Sequence, residues 1–239
     1  MKIKFIILFA AFAIPFAANA TSTTQFWTGC AMDIQPFGAW HIGVDNYTTI
    51  GPTIADGAAA FPTDLGITVG VLPFDKINME IGIDIVEPTD TPLYLNAKIG
   101  TPEGSLFEGS PGIAFGMYNM GFVDNADYNI GYLVVGKTLP LDIGRVHAGY
   151  YLGNSKLLVN RTGAAENQGW MLAYDKYIVK DKLMLLMDYA SGDNVVGGGG
   201  AGLCYCFAKN ASLIFGPVWF NNEITNGKPK WTIQLDINL

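Results

Sequence analysis

Residues Trp231–Leu239 read WTIQLDINL, and they alternate without exception. Trp231, Ile233, Leu235, Ile237 and Leu239 fall on one side of an extended chain, and Thr232, Gln234, Asp236 and Asn238 on the other. Side chains of a β-strand point to opposite faces with a period of two, so this stretch is a strand with one apolar and one polar face. A helix would need its apolar residues three and four apart.

The same period recurs upstream. INMEIGIDIVE over Ile77–Glu87 sets Ile77, Met79, Ile81, Ile83 and Ile85 against Asn78, Glu80, Gly82 and Asp84. LYLNAKIG from Leu93 sets Leu93, Leu95, Ala97 and Ile99 against Tyr94, Asn96 and Lys98, and GRVHAGYYLG from Gly144 sets Val146, Ala148, Tyr150 and Leu152 against Arg145, His147, Gly149 and Tyr151. Eight further strands are read at Trp40–Thr49, Asp64–Leu72, Gly112–Gly121, Asn129–Thr138, Gly169–Ile178, Lys182–Ala190, Ala201–Ala208 and Ala211–Phe220, which brings the total to twelve. Helical patterning is absent apart from room for one short turn in GSLFEG around Leu106.

Composition decides what these strands face. Half of the 239 residues are apolar and only 15% are charged, against about 25% in a typical soluble domain. Past the N-terminal leader no run of about twenty apolar residues exists to form a membrane helix. The connections alternate long and short, with GPTIADGAAAFPT, GNSKLLVNRTGAAENQ and NNEITNGKP among the long ones and PFDK, LPLD, VKD and KN among the short. TPEGSLFEGSP, and more weakly PTDT, break the rhythm. Short turns on one side and long loops on the other characterise a membrane barrel, and closure removes the exposed edges that such strands would otherwise present. The expected fold class is therefore all-β, a transmembrane antiparallel up-and-down β-barrel of about twelve strands. An even strand number puts both chain ends on the periplasmic side. Trp40, Phe74, Tyr128, Trp170, Tyr189, Trp219 and Trp231 fall near strand ends, where aromatic rings favour the membrane interface.

The first twenty residues carry Lys2 and Lys4, an apolar run from Phe5 to about Phe16 and the small-residue ending Ala18-Asn19-Ala20, which reads as a secretory signal. The domain reading is thus a signal peptide at 1–20, an N-terminal periplasmic segment at 21–38 and the barrel at 39–239. Removing the leader takes two of the 14 basic residues and none of the 21 acids, so the net charge moves from −7 to −9. That balance excludes nucleic acid as a partner. Cys30 lies ten residues beyond the end of the leader at Ala20, which argues against a lipidated cysteine. Cys204 and Cys206 share one face of a strand and read as small packing residues rather than a disulfide or metal pair.

The terminal strand also carries a resemblance. The chain resembles bacterial outer-membrane β-barrel proteins of the small porin-like class, whose last strand ends at the C-terminal residue in an alternating pattern read by the barrel-insertion machinery. Leu239 stands where a terminal Phe is commoner. The resemblance rests on pattern rather than on a family motif. It implies an outer-membrane location and contact with outer-membrane lipid and lipopolysaccharide, and it carries over no functional residue.

If the apolar faces meet lipid, the alternate faces line the lumen. The residues expected to line a pore are His41, Asp45, Glu80, Asp84, Asn96, Lys98, Arg145, His147, Asp188 and Asp236, with Asn78, Tyr118, Asp175 and Gln234 on the same faces. Burying these charges dry and unpaired would cost several kcal/mol each, so the lumen holds water, ion pairs or both. Two readings stay open: a narrow aqueous pore favouring cations or small neutral solutes, or a lumen plugged by pairs from Arg145 and Lys98 to Glu80, Asp84 or Asp236. Inward glycines at 43, 66, 70, 82, 149 and 153 leave room for water or let the wall bend. The segment before the first strand holds Phe26, Trp27 and Phe37, which need cover, and it is expected to fold back into the periplasmic mouth as a partial plug.

An outer-membrane lipid-modifying enzyme, of the phospholipase or lipid A type, is the alternative, and a non-conducting surface scaffold acting through the loop Asn154–Gln168 is the third reading. The enzyme reading suffers because His41 and His147 sit towards the periplasmic end with no serine at a partner position. Glu80 and Asp84 lie about 13 Å apart along their strand, too far to share a proton. GGGG at 197–200 lacks the following Lys and Ser or Thr of a phosphate loop and reads as a flexible outside loop. The oxygen-rich turn at Asp124, Asn125 and Asp127 reads as a solvated turn rather than a calcium site. No cofactor or metal is expected, and small solutes are the expected cargo.

Overall fold

A computed structural model describes residues 26–49 and 60–239. The leader expected at 1–20, and most of the long connection expected after Thr49, lie outside the described residues. Twelve strands follow in order: β1 (Trp40–Thr49), β2 (Thr63–Gly70), β3 (Asn78–Glu87), β4 (Leu93–Thr101), β5 (Gly112–Met120), β6 (Ile130–Leu139), β7 (Gly144–Leu152), β8 (Gln168–Val179), β9 (Leu183–Ala190), β10 (Gly198–Ala208), β11 (Ala211–Phe220) and β12 (Lys230–Asn238). Each pairs antiparallel with its sequence neighbours, and β12 closes on β1 in register from His41 opposite Asn238 to Thr49 opposite Lys230. The result is an up-and-down barrel in which every strand has two partners.

Alternation sets the two surfaces of the wall. Ile81, Ile99, Leu133, Trp170, Leu172 and Ile233 point outward and stay exposed, while their neighbours Glu80, Lys98, His147, Asp175 and Gln234 point inward and are buried. Water would not tolerate so broad an apolar outer band, and hydrocarbon would. Among the described residues no helix is long and apolar enough to cross a membrane.

Both chain ends of the barrel, Trp40 and Leu239, meet at one rim, where Trp40 N donates to Leu239 O at 3.0 Å and Leu239 N to Trp40 O at 2.8 Å. This rim carries the short connections 140–143, 180–182 and 209–210 and is called the turn end; the opposite rim, with 121–129, 153–167 and 221–229, is the loop end.

Three details depart from the sequence reading. Gly198–Gly200, expected in a flexible loop, begin β10 in register with β9 and β11. Their missing side chains are accounted for from inside the barrel: a methyl group at Gly200 would lie 2.9 Å from Phe26 Cβ. The loop-end connection before β12 holds a short helix, α1 (Glu223–Asn226), capped by the Asn222 side chain accepting from Ile224 N and Thr225 N. Tyr128, expected in an outer aromatic belt, is half-buried against the inner core, while Trp40, Trp170, Trp219 and Trp231 remain exposed outside.

The inner face is not uniform. From β6 to β8 it carries Ile130, Tyr132, Val134, Tyr151, Met171 and Ala173, and from β9 to β11 it carries Leu186, Cys204, Ile214 and Val218, all buried. These form two apolar clusters that share the segment before β1, the first through Cys30 and Met32 and the second through Phe26. From β12 through β1 to β4 the inward positions are polar, charged or glycine, apart from Val86.

Candidate functional site

The segment expected to be periplasmic, described from Phe26 on, runs inside the barrel. It leaves β1 at the turn end, where Gly38 N donates to Gly70 O at 2.9 Å and Gly70 N to Ala39 O at 3.0 Å. From there it climbs as an extended strap past β3 and β4 and along the β6–β11 wall, with Phe26 at its upper end. Phe26, Thr28, Gly29, Cys30, Ala31, Met32 and Gln35 are all buried.

Charged groups of the wall hold its backbone. Asp188 Oδ2 accepts from Phe26 N (2.9 Å), Trp27 N (2.8 Å) and Thr28 N (2.7 Å), so three successive amides converge on one carboxylate oxygen. Hydrogen bonds to a charged acceptor contribute about 1.5–3 kcal/mol each when well made. Lower down, Asp33 takes a two-pronged grip from Arg145, Nη1 to Oδ1 at 2.8 Å and Nη2 to Oδ2 at 2.7 Å. Lys98 Nζ donates to Asp33 O at 2.8 Å and Gln35 N to Glu80 Oε2 at 2.7 Å. His147 accepts from Met32 N on Nδ1 at 3.4 Å and faces Asp175 with Nε2 at 3.0 Å, which assigns its proton to Nε2.

The strap's side chains fit places where the wall has none. The Phe26 ring lies on Gly200 and Gly216, and a methyl group at Gly136 would lie 2.6 Å from Met32 Sδ. At the loop end Trp27 Nε1 donates to Val196 O at 2.8 Å, and the Trp27 ring packs on Phe220 at 4.9 Å and on Tyr47 at 5.6 Å. Lys230 Nζ sits 4.5 Å from the centre of the Phe61 ring in the same cluster.

Opposite the strap, the β12–β5 side leaves a cavity of about 520 Å³. It runs from the loop end, between Phe61, Tyr94, Tyr128 and Asn226, down to a floor of His41, Glu80, Lys98 and Asp236. Its walls hold five carboxylates, Asp45, Asp64, Glu80, Asp84 and Asp236, against Lys98 and His41. Lys98 Nζ lies 3.4 Å from Glu80 Oε1, and His41 Nε2 3.4 Å from Asp236 Oδ1. Asp84 accepts from Asn96 Nδ2 at 2.6 Å. Asp45 stands opposite Asp64 in the β1–β2 register, and Asp64 Oδ1 is buried with no hydrogen-bond partner. Neighbouring positions in register place Cβ atoms about 5 Å apart, and two unit charges at that spacing repel by about 3 kcal/mol at an effective dielectric of about 20. A positive solute beside them relieves that repulsion.

The expected lumen residues therefore divide. His41, Asp45, Glu80, Asp84, Asn96, Lys98 and Asp236 border the cavity. Arg145, His147 and Asp188 lie on the other wall and bind the strap. Of the inward glycines, 43 and 66 open on the cavity, whereas a side chain at 70 would strike the strap carbonyls of Gln35 and Pro36. Asp64 was missed because it lies at the start of its strand and looks like a turn residue, although Asp64, Gly66 and Thr68 continue the inward alternation. Asp127 of the oxygen-rich turn accepts from Asn154 Nδ2 at 3.1 Å and so ties two loops together. Cys204 and Cys206 are free thiols, one buried and one half-buried.

With this geometry in view, the comparisons with known proteins are specific about the fold. The sequence matches no family model, and no curated protein matches it. Among solved structures the chain is similar to the KdgM porin, with a TM-score of 0.52 at 9% identity over 82% of this chain and 98% of that one. It is equally similar to the NanC porin, with a TM-score of 0.53 at 8% identity over 82% and 98%. A KdgM porin in complex with disordered oligogalacturonate aligns with a TM-score of 0.51 at 10% identity, again over 82% and 98%. The fold is that of a small porin-like outer-membrane barrel, as the terminal strand had implied.

Proposed function

We propose that this chain is a narrow porin-like channel of a bacterial outer membrane, passing small solutes and favouring cations or neutral molecules over anions. The observation that carries the reading is one wall with two opposite surfaces: an apolar band outside, and inside a 520 Å³ cavity whose five carboxylates outnumber Lys98 and His41. Residues 1–20 act as the leader that exports it, β12 serves as the strand read by the insertion machinery, and outer-membrane lipid and lipopolysaccharide surround the outer face.

The KdgM neighbour bound to oligogalacturonate carries an acidic sugar polymer. The carboxylates at 45, 64, 84 and 236 oppose a cargo of that charge here, so anionic oligosaccharides are not the expected solute. The enzyme alternative is not favoured. His41 is engaged by Asn238 on Nδ1 at 3.0 Å and by Asp236 on Nε2, and His147 by Met32 N and Asp175, with no serine hydroxyl bonded to either ring among the described residues.

The test is a reversal potential measured in planar bilayers across a potassium chloride gradient. A potential of the sign set by potassium supports the reading. A chloride-selective current would reject the charge assignment, and folded protein that carries no current in any variant would reject the channel.

A further inference from the structure

We propose that the strap Phe26–Gly38 is the gate of this barrel: the turn-end half of the lumen is closed because the strap is seated in it, and solute crosses only when the strap leaves that seat. The proposal rests on the channel reading above.

Among the described residues the cavity extends to the loop end, and at the other end it stops at a floor of side chains with almost no exposure, His41 at 5%, Glu80 at 3% and Lys98 at 3%, beneath which Gln35 of the strap lies at 2%. The strap completes that floor itself. Gln35 N donates to Glu80, and the Asp33 carbonyl accepts from Lys98. The closure is therefore a property of the strap's position, not of the wall alone.

The polar seat is built to survive the strap's departure. Arg145, His147, Lys98 and Glu80, which hold it, each keep a charged partner within the wall, and Asp188 keeps one backbone amide. Arg145 Nε donates to Asp175 at 3.0 Å, and His147 Nε2 faces the same carboxylate. Lys98 and Glu80 keep each other. Asp188 Oδ1 accepts from Gly200 N at 3.1 Å. A structural core element normally leaves buried charges unpaired when removed, whereas here Arg145, His147, Lys98 and Glu80 keep charged partners and Asp188 keeps the Gly200 amide. The barrel meanwhile closes through β1 and β12 without any strap residue in the register.

The experiment uses single-channel recording of the full mature chain in planar bilayers, with two variants. In the first, Cys30→Ala, Cys204→Ala and Cys206→Ala remove the native thiols, and Phe26→Cys with Gly200→Cys places two Cβ positions 2.9 Å apart, close enough for a disulfide after a small outward shift. This bond pins the strap's upper end while Gly38 and Gly70 hold the lower. The second deletes residues 22–35. The expected result is that the oxidised variant stays at the closed level, that reductant releases openings at least as frequent as those of the wild type because the Phe26 anchor is gone, and that the deletion raises mean current several-fold.

Openings in the oxidised variant as frequent as in the reduced one overturn the gate, as does a conducting deletion variant with wild-type current. Silence of every variant, with barrels shown folded by heat-modifiable migration on gels, overturns the channel reading and the gate with it. Should the deletion variant fail to fold, the oxidised and reduced recordings still decide.

Discussion

The β6–β11 half of the lumen and the β12–β5 half are made from the same kind of strand, yet one is packed solid and the other holds a cavity. On the first, Tyr132, Val134, Met171, Ile214 and Val218 turn apolar side chains inward, and the strap covers them. On the second, Asp45, Asp64, Asp84 and Asp236 turn charge inward, and space for solvent remains. The outer face is apolar in both. What an interior becomes is thus set strand by strand by the inward alternate, because an apolar inner face gains from being covered, whereas a charged one loses its hydration if it is.

The sharpest way to break that comparison is to truncate one residue in each half. Phe26 is fully buried on a glycine-lined seat, so Phe26→Ala should cost about 3 kcal/mol or more of stability, in the range of large-to-small core substitutions. Val86→Ala on the cavity side should cost less than about 1 kcal/mol, because water can take up the vacated space. Urea unfolding in detergent, followed by tryptophan fluorescence, measures both. Equal losses would mean that the two halves are packed alike and that the cavity is not a solvent space.

Charge removal should separate the halves by a smaller amount. Asp188→Asn takes away the carboxylate on which three strap amides converge and presents the nearest of them with a side-chain amide, at a cost of about 2 kcal/mol. Asp84→Asn retains the Asn96 contact as a neutral hydrogen bond and lessens repulsion with Asp64, so its effect should stay within about 0.5 kcal/mol. The same unfolding assay distinguishes them, and a larger loss at Asp84 would show that its charge is structurally required.

How much of this was legible in the sequence differs between the two halves as well. Strands β3 and β4 alternate so cleanly that both their existence and the inward place of Glu80, Asp84, Asn96 and Lys98 could be read directly. The terminal strand likewise gave Asp236. The packed half carried a signal that was available and unused: YLVV in β6, LMLLM in β9 and LIFGPVWF in β11 are apolar on both faces, which marks a wall buried on both sides. The partner that covers them could not be read. Its grip depends on Asp33 meeting Arg145 and on Asp188 meeting residues 26–28, contacts between positions more than a hundred residues apart that no local period encodes. The glycines at 198–200 misled for the same reason, since only Phe26, from the other end of the chain, explains why a strand there needs no side chains.

Conduction sharpens the comparison from the cavity side. Replacing the acidic wall with Asp45→Asn, Asp64→Asn and Asp84→Asn together should move the reversal potential towards zero as the preference for potassium over chloride falls towards equality. Arg145→Gln, on the strap side, should leave ion preference unchanged while altering how often the channel opens. Selectivity that follows Arg145 instead would place the conducting path on the wrong side of the strap.

The smallest effect belongs to neither half but to the loops above them. Arg161 grips Asp193 with Nε to Oδ2 at 2.7 Å and Nη2 to Oδ1 at 2.5 Å, joining the 153–167 loop to the 191–197 loop that covers the strap's upper end. The hydrogen bonds and charge of Arg161 hold the Asp193 carboxyl below its ordinary range. A carboxylate whose folded value is depressed stabilises above its unfolded value, about 3.9, and loses that contribution as pH falls through the folded one. The pair is solvent-exposed, so salt weakens it and the barrel as a whole should not respond. Hydrogen exchange, corrected for intrinsic rates, should therefore show faster exchange of the 153–167 loop amides below about pH 4, with strand amides unchanged, and Arg161→Gln should reproduce the loosening at neutral pH. Strand amides of β9 and β10 that loosen in step with the loop would mean that the loop pair, and not Asp188, secures the strap's upper end.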